Sequence, residues 1–483
     1  MKSILRATAI LSGSSMITIL VGLGSSKAWA MLLGPSGVGF MGLLQSLTGI
    51  AALIATMGVG TGLVRMGASA IEQGDAARLA AIYRAAWLIF GGFGLLAVIL
   101  MAIFSRAIAL LMLGNAANWP YVILMSLTVL FTMAAGIQSG FINAHHRVAI
   151  LARIAITNSV LSSALGLLIV WYWGKPAVPG ALVAMAAMSC TITAFQFYRS
   201  GITSAVSPHW ASVRKAVREL LHFGGPYTLS LLVGQGVQML MPALVLHQLG
   251  ADSVGYYRAA IAISVTYLGF LLNAMGQDYY PRISAAAHNP TDLVALVNQQ
   301  HRLVLLLSVP LFFGMLALAP LLIQLVYSPA FAPAIVVLKW QLMGSLLKFS
   351  SWTMAFVILA RCNSAVFLFT EAIGGITTFA VSWLCIPIYG LAGLGMGFFA
   401  TYVVYYLLVW SIVRHEIGFR WSRENLVLLT SALVAVISVF GLSFVVSEVV
   451  QTIISLIIAC IAASISAYTI WIELRKPQLA NAK

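Results

Sequence analysis

The sequence LGPSGVGF, at residues 33–40, stands between two long apolar runs and recurs as LGADSVGY at residues 249–256. In both copies a Leu-Gly pair ends one apolar run, and a Val-Gly-aromatic triplet begins the next. Glycine beside a helix end supplies the backbone freedom that a tight turn needs. The two segments therefore predict the same helix–turn–helix unit at places 216 positions apart, from Leu33 to Leu249.

Other features recur at nearly the same displacement. Arg65 superposes on Arg282, and the polar break at residues 145–147 superposes on the break at 361–363. The displacement contains six apolar runs, an even number, so the two copies have the same orientation and are related by an axis along the membrane normal. This geometry is typical of transporters that work by alternating access.

The repeat predicts the domain organisation. We expect an N-terminal six-helix bundle at residues 1–200, a cytoplasmic amphipathic linker at 201–222, a C-terminal six-helix bundle at 223–415, and two extra transmembrane helices with a cytoplasmic tail at 416–483.

The composition is that of a bilayer protein. Of the 483 residues, 61% are hydrophobic and 8% are charged, whereas soluble chains carry roughly 25% charged residues. A transmembrane helix needs about 20 mainly apolar residues, and about 14 such stretches cover nearly the whole chain. We predict an all-α polytopic membrane protein with two bundles in parallel repeat plus two C-terminal helices.

The net charge of +15 is explained by membrane orientation, because Lys and Arg are retained on the cytoplasmic side. With the N-terminus inside, only Arg106 and Lys175 fall clearly outside. We therefore predict that both termini are cytoplasmic and that nucleic acid is not a partner. The A-x-A sequence at residues 28–30 resembles a signal cleavage site, but we expect this segment to stay as the first helix.

The predicted linker has an amphipathic pattern. Apolar residues at 210, 213, 217, 220 and 221 oppose Arg214, Lys215 and Arg218. One interpretation is a helix on the inner leaflet, where anionic lipid attracts it by roughly 1 kcal/mol per basic residue. The other is a plain connection between the bundles, and the pattern is compatible with both.

Charged residues inside apolar spans are functional candidates, because each costs at least about 2.5–3.5 kcal/mol to insert. The basic candidates are Lys27, Arg258 and Lys348, with Lys339 near a helix end. The excess of cations predicts a cavity for an anionic substrate. Arg258 and Lys339 could instead extend to the interface, and uncharged residues such as Gln45 could line the cavity or pack.

The acidic candidates are fewer. Glu371 is the acid best placed for proton or sodium coupling, and Asp278 is the second candidate. Lys348 and Glu371 could instead form a structural bridge, and Asp278 could be a partner for Arg282 one helical turn away.

Several chemistries have no motif in this chain. There is no G-x-x-x-x-G-K-[ST] loop for ATP, and no large outer loop for a catalytic domain. The four cysteines stand singly, without the spacing of zinc or redox sites. We predict a transporter and not an enzyme, with no metal and no cofactor.

The parallel repeat, the Leu-Gly-Pro-x-Gly-x-Gly turn, the extra C-terminal pair and the cationic interior resemble the polysaccharide-transporter branch of the multidrug/oligosaccharidyl-lipid/polysaccharide flippase superfamily. Within that branch the chain looks most like the O-antigen flippases, and it resembles more distantly the lipid II flippases, which also have fourteen helices. The resemblance implies a bacterial inner-membrane protein that moves an undecaprenyl-diphosphate-linked glycan, with membrane lipid and glycan assembly enzymes such as a polymerase as further partners. It also implies that Lys27, Arg65 and Arg258 meet the diphosphate.

Two rival functions stay open at this point. A multidrug exporter of the same superfamily would take cationic substrates and call for acidic residues in its cavity. A polytopic glycan polymerase or ligase would need a catalytic outer loop with several polar residues.

Overall fold

The computed structural model describes the backbone of residues 2–202, 208–361, 364–442 and 447–480. Side chains are not described at residues 2–12, 226, 227, 230, 266, 267, 270, 274, 277, 364, 448 and 473–480. Cys362 and residues 203–207 of the predicted linker lie outside the described residues. Within the described ranges every regular element is a helix.

Seventeen α-helices follow one another along the described chain. They are α1 Lys2–Thr56, α2 Val59–Glu72, α3 Ala76–Ile103, α4 Ser105–Leu113, α5 Trp119–Ala144, α6 Val148–Trp173, α7 Val178–Arg199, α8 Trp210–Leu249, α9 Ala251–Ile261, α10 Leu268–Ala285, α11 Pro290–Ala317, α12 Ala319–Val326, α13 Ala334–Ala360, α14 Ser364–Tyr389, α15 Leu391–Ile417, α16 Arg423–Leu442 and α17 Glu448–Ala480. A π-helical turn, Ala262–Tyr267, joins α9 to α10.

Eleven helical segments of the described chain are long and apolar enough to cross a membrane. One of them, Gly13–Thr56, has 44 residues; at 1.5 Å per residue it is about 66 Å long, roughly twice the hydrocarbon thickness. It therefore accounts for two predicted spans. The two remaining predicted spans correspond to α8 and to α9 with α10, so the prediction of an all-α polytopic membrane protein is confirmed.

The turn that repeats in the sequence has the same backbone conformation in both copies. Gly34 interrupts α1 with φ 65° and ψ −175°, and Gly250 ends α8 with φ 84° and ψ 177°. A positive φ with extended ψ is open to glycine and strained for other residues. Pro35 then begins the second half of α1, where its fixed φ suits the first turn of a helix.

The two copies of the turn also pack against each other. A Cβ on Gly39 would overlap the Ala251 carbonyl oxygen, and a Cβ on Gly255 would overlap the Pro35 carbonyl oxygen. Pro35 and Ala251 are equivalent positions of the repeat, as are Gly39 and Gly255. The contact between Gly39 and Ala251 is therefore repeated between their equivalents, Gly255 and Pro35, which is the arrangement of an isologous interface. We call this the glycine contact.

Contacts divide the chain into two compact units. The first unit comprises residues 1–258 with 326–328, and the second comprises 259–325 with 329–483. Leu63, Ile82 and Phe141 are buried in the core of the first unit. Tyr279 and Val409 are buried in the core of the second. The boundaries that the repeat predicts, at residues 200, 222 and 415, stay a prediction.

The amphipathic segment at 210–222 is the first part of α8, which continues through residue 222 without a break. Its apolar side chains Val213 and Leu220 are fully buried in the core of the first unit. They therefore pack on protein and not on the inner leaflet. The basic side chains on the opposite face are exposed, so their attraction to anionic lipid stays a prediction.

In the second unit, Asn298 on α11 anchors the segment that joins α15 to α16. Its Nδ2 donates to the Arg420 carbonyl oxygen at 3.1 Å, and its Oδ1 accepts from the Ser422 N–H at 2.8 Å. Asn425 Nδ2 donates to the carbonyl oxygen of Asn298 at 2.8 Å. The side chain and the carbonyl oxygen of Asn298 therefore hold the start of the C-terminal helix pair against α11.

We expect Asn298→Ala to destabilise the protein, because it removes the acceptor of the Ser422 N–H and the donor to the Arg420 carbonyl oxygen, at a cost of about 1–3 kcal/mol. Thermal unfolding in detergent, followed by tryptophan fluorescence, should show a melting temperature several degrees lower. Asn118→Ala is the control, because that side chain makes no capping hydrogen bond. Equal melting curves for the two variants would contradict the anchoring role.

We also expect Gly39→Ala and Gly255→Ala each to lower the melting temperature, since the obstructing atoms are backbone and overpacking costs about 1–3 kcal/mol. The double variant should lower the melting temperature by less than the sum of the two single effects, because both substitutions open the same contact. Gly180→Ala, where a Cβ would meet nothing within 4 Å, should melt as the wild type does. Strict additivity would argue against a shared contact.

Candidate functional site

Arg258, on α9, reaches across to α1 and lies over a glycine. A Cβ on Gly42 would come within 2.7 Å of the Arg258 Nε and 3.0 Å of its Cγ. Arg258 Nη2 donates to Gln45 Oε1 at 2.5 Å, and the side chain is half-buried. The guanidinium therefore packs on α1 and pairs with a neutral amide.

Acidic residues are few in the first unit and lie at helix ends or, in the case of Glu219, in the polar first part of α8. The acids among residues 1–258 are Glu72, Asp75, Glu219 and Asp252. Glu219 lies 3.7 Å from Arg78 and 4.0 Å from Lys215, and Asp75 caps α3 by accepting from the Arg78 N–H at 2.8 Å. Glu72 and Asp252 are exposed. The apolar spans of this unit therefore contain cations and no carboxylate.

The two other basic candidates of the first unit have different surroundings. Lys27 is half-buried on α1, one to two turns after Gly22 and Gly24, where a Cβ would meet nothing within 4 Å. Arg65, on α2, is exposed, and its guanidinium carbon lies 5.3 Å from the centroid of the Phe223 ring. Arg65 and Arg258 thus have separate partners.

Lys348 and Glu371 lie on neighbouring helices of the second unit. The Lys348 ammonium lies 5.6 Å from the centroid of the Tyr402 ring, a cation–π distance. Glu371 Oε1 accepts from the Tyr405 hydroxyl at 2.8 Å. The structure thus combines α13, α14 and α15 around one cation and one anion, and the predicted roles in binding and in ion coupling stay predictions.

Asp278 lies beside the basic partner that the sequence suggested. Arg282 Nη1 donates to Asp278 Oδ2 at 3.1 Å, and Arg282 Nη2 donates to Gln299 Oε1 at 3.2 Å. Both members of the ion pair are largely exposed. A role for Asp278 in ion coupling stays a prediction.

Sequence reasoning missed the residues that position the charges. Gln45 was a candidate cavity residue, but its pairing with a residue 213 positions away has no sequence signal. Tyr402 and Tyr405 are aromatic residues in an aromatic-rich helix, and nothing in the spacing distinguishes them. Among the described residues no group of three His, Cys, Asp or Glu side chains could hold a metal ion.

Comparisons with known proteins agree with this architecture. The Lipid III flippase of Escherichia coli strain K12 is 22% identical over 421 residues, which cover 84% of this chain and 97% of the relative. A lipid II flippase, MurJ, in an inward closed conformation superposes with a TM-score of 0.68 at 14% identity, over 95% of this chain and 99% of that one. An inward-facing multidrug resistance MATE transporter also gives 0.68, at 17% identity over 85% and 98%.

These relatives are flippases and transporters, which confirms the prediction that the chain is not an enzyme. The structural likenesses establish a shared polytopic fold. A family model described as polysaccharide biosynthesis protein matches residues 29–336, well over half of the chain. The chain therefore belongs to the polysaccharide biosynthesis protein family.

Proposed function

We propose that this protein moves an undecaprenyl-diphosphate-linked oligosaccharide, an O-antigen or related surface polysaccharide unit, from the inner to the outer leaflet of the bacterial inner membrane. The observation that carries the proposal is the environment of Arg258. A half-buried guanidinium with a neutral partner, in a unit whose spans contain no carboxylate, has an uncompensated positive charge. An anionic headgroup is the ligand that such a site favours.

The direction of transport follows from electrostatics. Moving one negative charge outward across about 100 mV is favourable by roughly 2.3 kcal/mol. A diphosphate headgroup can therefore be driven outward by the membrane potential. Counter-transport of a cation would add to this force, and Glu371, which is hydrogen-bonded to Tyr405, is the group we assign to it, with Asp278 as the second candidate.

The relatives support a lipid-linked substrate. The curated relative is named for lipid III and one of the solved structures for lipid II; both are flippases. A MATE transporter shares the fold equally well, but an exporter of cationic drugs needs acidic groups in its cavity. The first unit supplies bases there, so the flippase is favoured over the exporter.

We further propose that both termini are cytoplasmic, that transport proceeds by alternating access through a cationic cavity, and that Lys27, Arg65, Arg258 and Lys348 meet the diphosphate. Assembly enzymes of the same glycan, such as a polymerase, are the expected protein partners.

In a deletion strain, mass spectrometry should show an undecaprenyl-linked glycan that accumulates and is inaccessible to a probe added outside. Wild-type protein should clear it. Arg258→Ala should not, because the anion loses a charge-assisted hydrogen bond worth about 1.5–3 kcal/mol, roughly a tenfold to hundredfold effect on binding. Arg153→Ala, at an exposed position, is the control.

The Lys27→Ala and Lys348→Ala variants are tested together with Arg258→Ala, with equal amounts of each protein in the membrane. Full clearance by all three variants would show that the proposed anion site is wrong. Normal glycolipids in the deletion strain, with altered sensitivity to cationic drugs, would favour the exporter.

We expect Glu371→Gln to abolish any dependence of transport on a proton or sodium gradient, because the amide cannot change its charge. Tyr405→Phe removes the hydrogen bond to Glu371 but retains the carboxylate, so it should shift the ion dependence without abolishing it. Transport is measured in proteoliposomes with and without an imposed gradient. Unchanged ion dependence in Glu371→Gln would remove this residue from the mechanism.

A further inference from the structure

A polar cleft runs between α2 and α5 in the first unit, away from Arg258. Its outer part has a volume of about 460 Å³ and is lined by Thr61, Arg65, Ser139 and Asn143, with Val64 and Leu151 at its rim. A second cavity of about 210 Å³ shares Gly60, Thr61 and Gly136 with it. The two cavities therefore adjoin; Arg65 lines the larger one, and mainly apolar side chains line the smaller one.

Glycines form the floor of the cleft. A Cβ on Gly60 or Gly136 would meet nothing within 4 Å, so these positions open onto free space. Gly140 does the opposite, because its Cβ would lie 3.1 Å from Leu63 and 3.5 Å from the Gly60 carbonyl oxygen. Gly140 therefore lets α2 and α5 approach closely, while Gly60 and Gly136 leave the space above the contact empty.

The uncharged polar side chains of the cleft make no hydrogen bond to the described part of the protein. Hydroxyls in the helices of this chain commonly donate to a carbonyl three or four residues earlier, as Thr48, Thr132 and Ser159 do, which satisfies them within their own helix. Within the described residues, the side chains of Thr61, Ser139 and Asn143 make no hydrogen bond to protein. Two hydroxyls and one carboxamide thus remain free for a ligand.

The lining specifies a class of ligand. Hydroxyl and carboxamide groups can both donate and accept, which suits the hydroxyls of a sugar, and an exposed backbone floor with apolar rims suits the C–H face of a pyranose ring. The volume lies within the roughly 300–1,000 Å³ of small-molecule sites. Arg65 supplies the charge for a phosphate but repels a cationic drug.

We propose that this cleft binds the sugar residues next to the diphosphate, with Arg65 on the adjoining phosphate. The inference rests on the proposed function and adds to it the part of the protein that reads the glycan. Thr61, Ser139 and Asn143 are then specificity-determining residues, and Gly136 is the position that keeps the sugar site open.

The test compares two ligands on purified full-length protein in nanodiscs: synthetic undecaprenyl diphosphate, and the glycan-bearing lipid extracted from the deletion strain. Binding is followed by tryptophan fluorescence or native mass spectrometry. We expect the wild type to bind the glycan-bearing lipid about tenfold more tightly or better, a factor of ten being about 1.4 kcal/mol. Gly136→Leu fills the cleft without changing charge, so it should abolish this preference and leave the affinity for undecaprenyl diphosphate unchanged.

Gly91→Leu is the matched control, because Gly91 lies on α3 with nothing within 4 Å of its Cβ, and it should keep the preference. Asn143→Ala, a smaller change, should reduce the preference for the glycan-bearing lipid without abolishing it. Arg65→Ala should weaken the binding of both lipids. A full preference retained by both Gly136→Leu and Asn143→Ala would overturn the cleft as the sugar site. Equal binding of the two lipids by the wild type would overturn it as well and leave the proposed flippase intact, whereas binding of neither lipid would overturn both.

Discussion

The glycine contact between the two repeated turns is the constraint on which the candidate site depends. Positions 35, 39 and 42 follow one another at intervals of four and three residues, so they form one stripe on the second half of α1. Gly39 lets α9 approach at the level of the Ala251 carbonyl, and one turn further on Gly42 leaves space for the Arg258 side chain. Small residues at such intervals are how membrane helices come together when no hydrophobic force drives them.

The partner of Arg258 matters as much as its position. A carboxylate in the place of Gln45 would neutralise the guanidinium and leave little attraction for an anion. An amide satisfies one N–H at 2.5 Å but carries no net charge, so the positive charge stays available in a medium where charges are weakly screened. The second unit differs, because Lys348 there lies near Glu371 and Tyr402, so its charge is partly compensated. In the proposed cycle Arg258 of the first unit gives the headgroup an uncompensated positive charge, and Glu371 of the second unit responds to an ion.

The parts of the fold that depend on local sequence were predictable. Both glycine turns, the number and kind of helices and the partner of Asp278 one turn away follow from composition, periodicity and short spacing. Contacts between distant residues did not follow, since no pattern connects Arg258 to Gln45 or Asn298 to Ser422. The segment at 210–222 shows a further reason: an apolar face looks the same in sequence whether it packs on lipid or, as Val213 and Leu220 do, on protein.

Cations alone cannot tell one lipid-linked glycan from another, because the diphosphate and the polyprenyl chain are common to all of them. A flippase that distinguishes glycans must therefore recognise the neutral sugar hydroxyls with neutral protein groups. A site that hydrogen-bonds a particular hydroxyl strongly rejects a sugar that lacks this hydroxyl, whereas an apolar pocket rejects a sugar with an additional hydroxyl only weakly. Thr61, Ser139 and Asn143 have the chemistry for this. Because their side chains make no hydrogen bond to the described part of the chain, an unsuitable sugar would leave them unsatisfied. Charge would then decide that an anionic lipid binds, and the glycine-floored cleft would decide which glycan it carries.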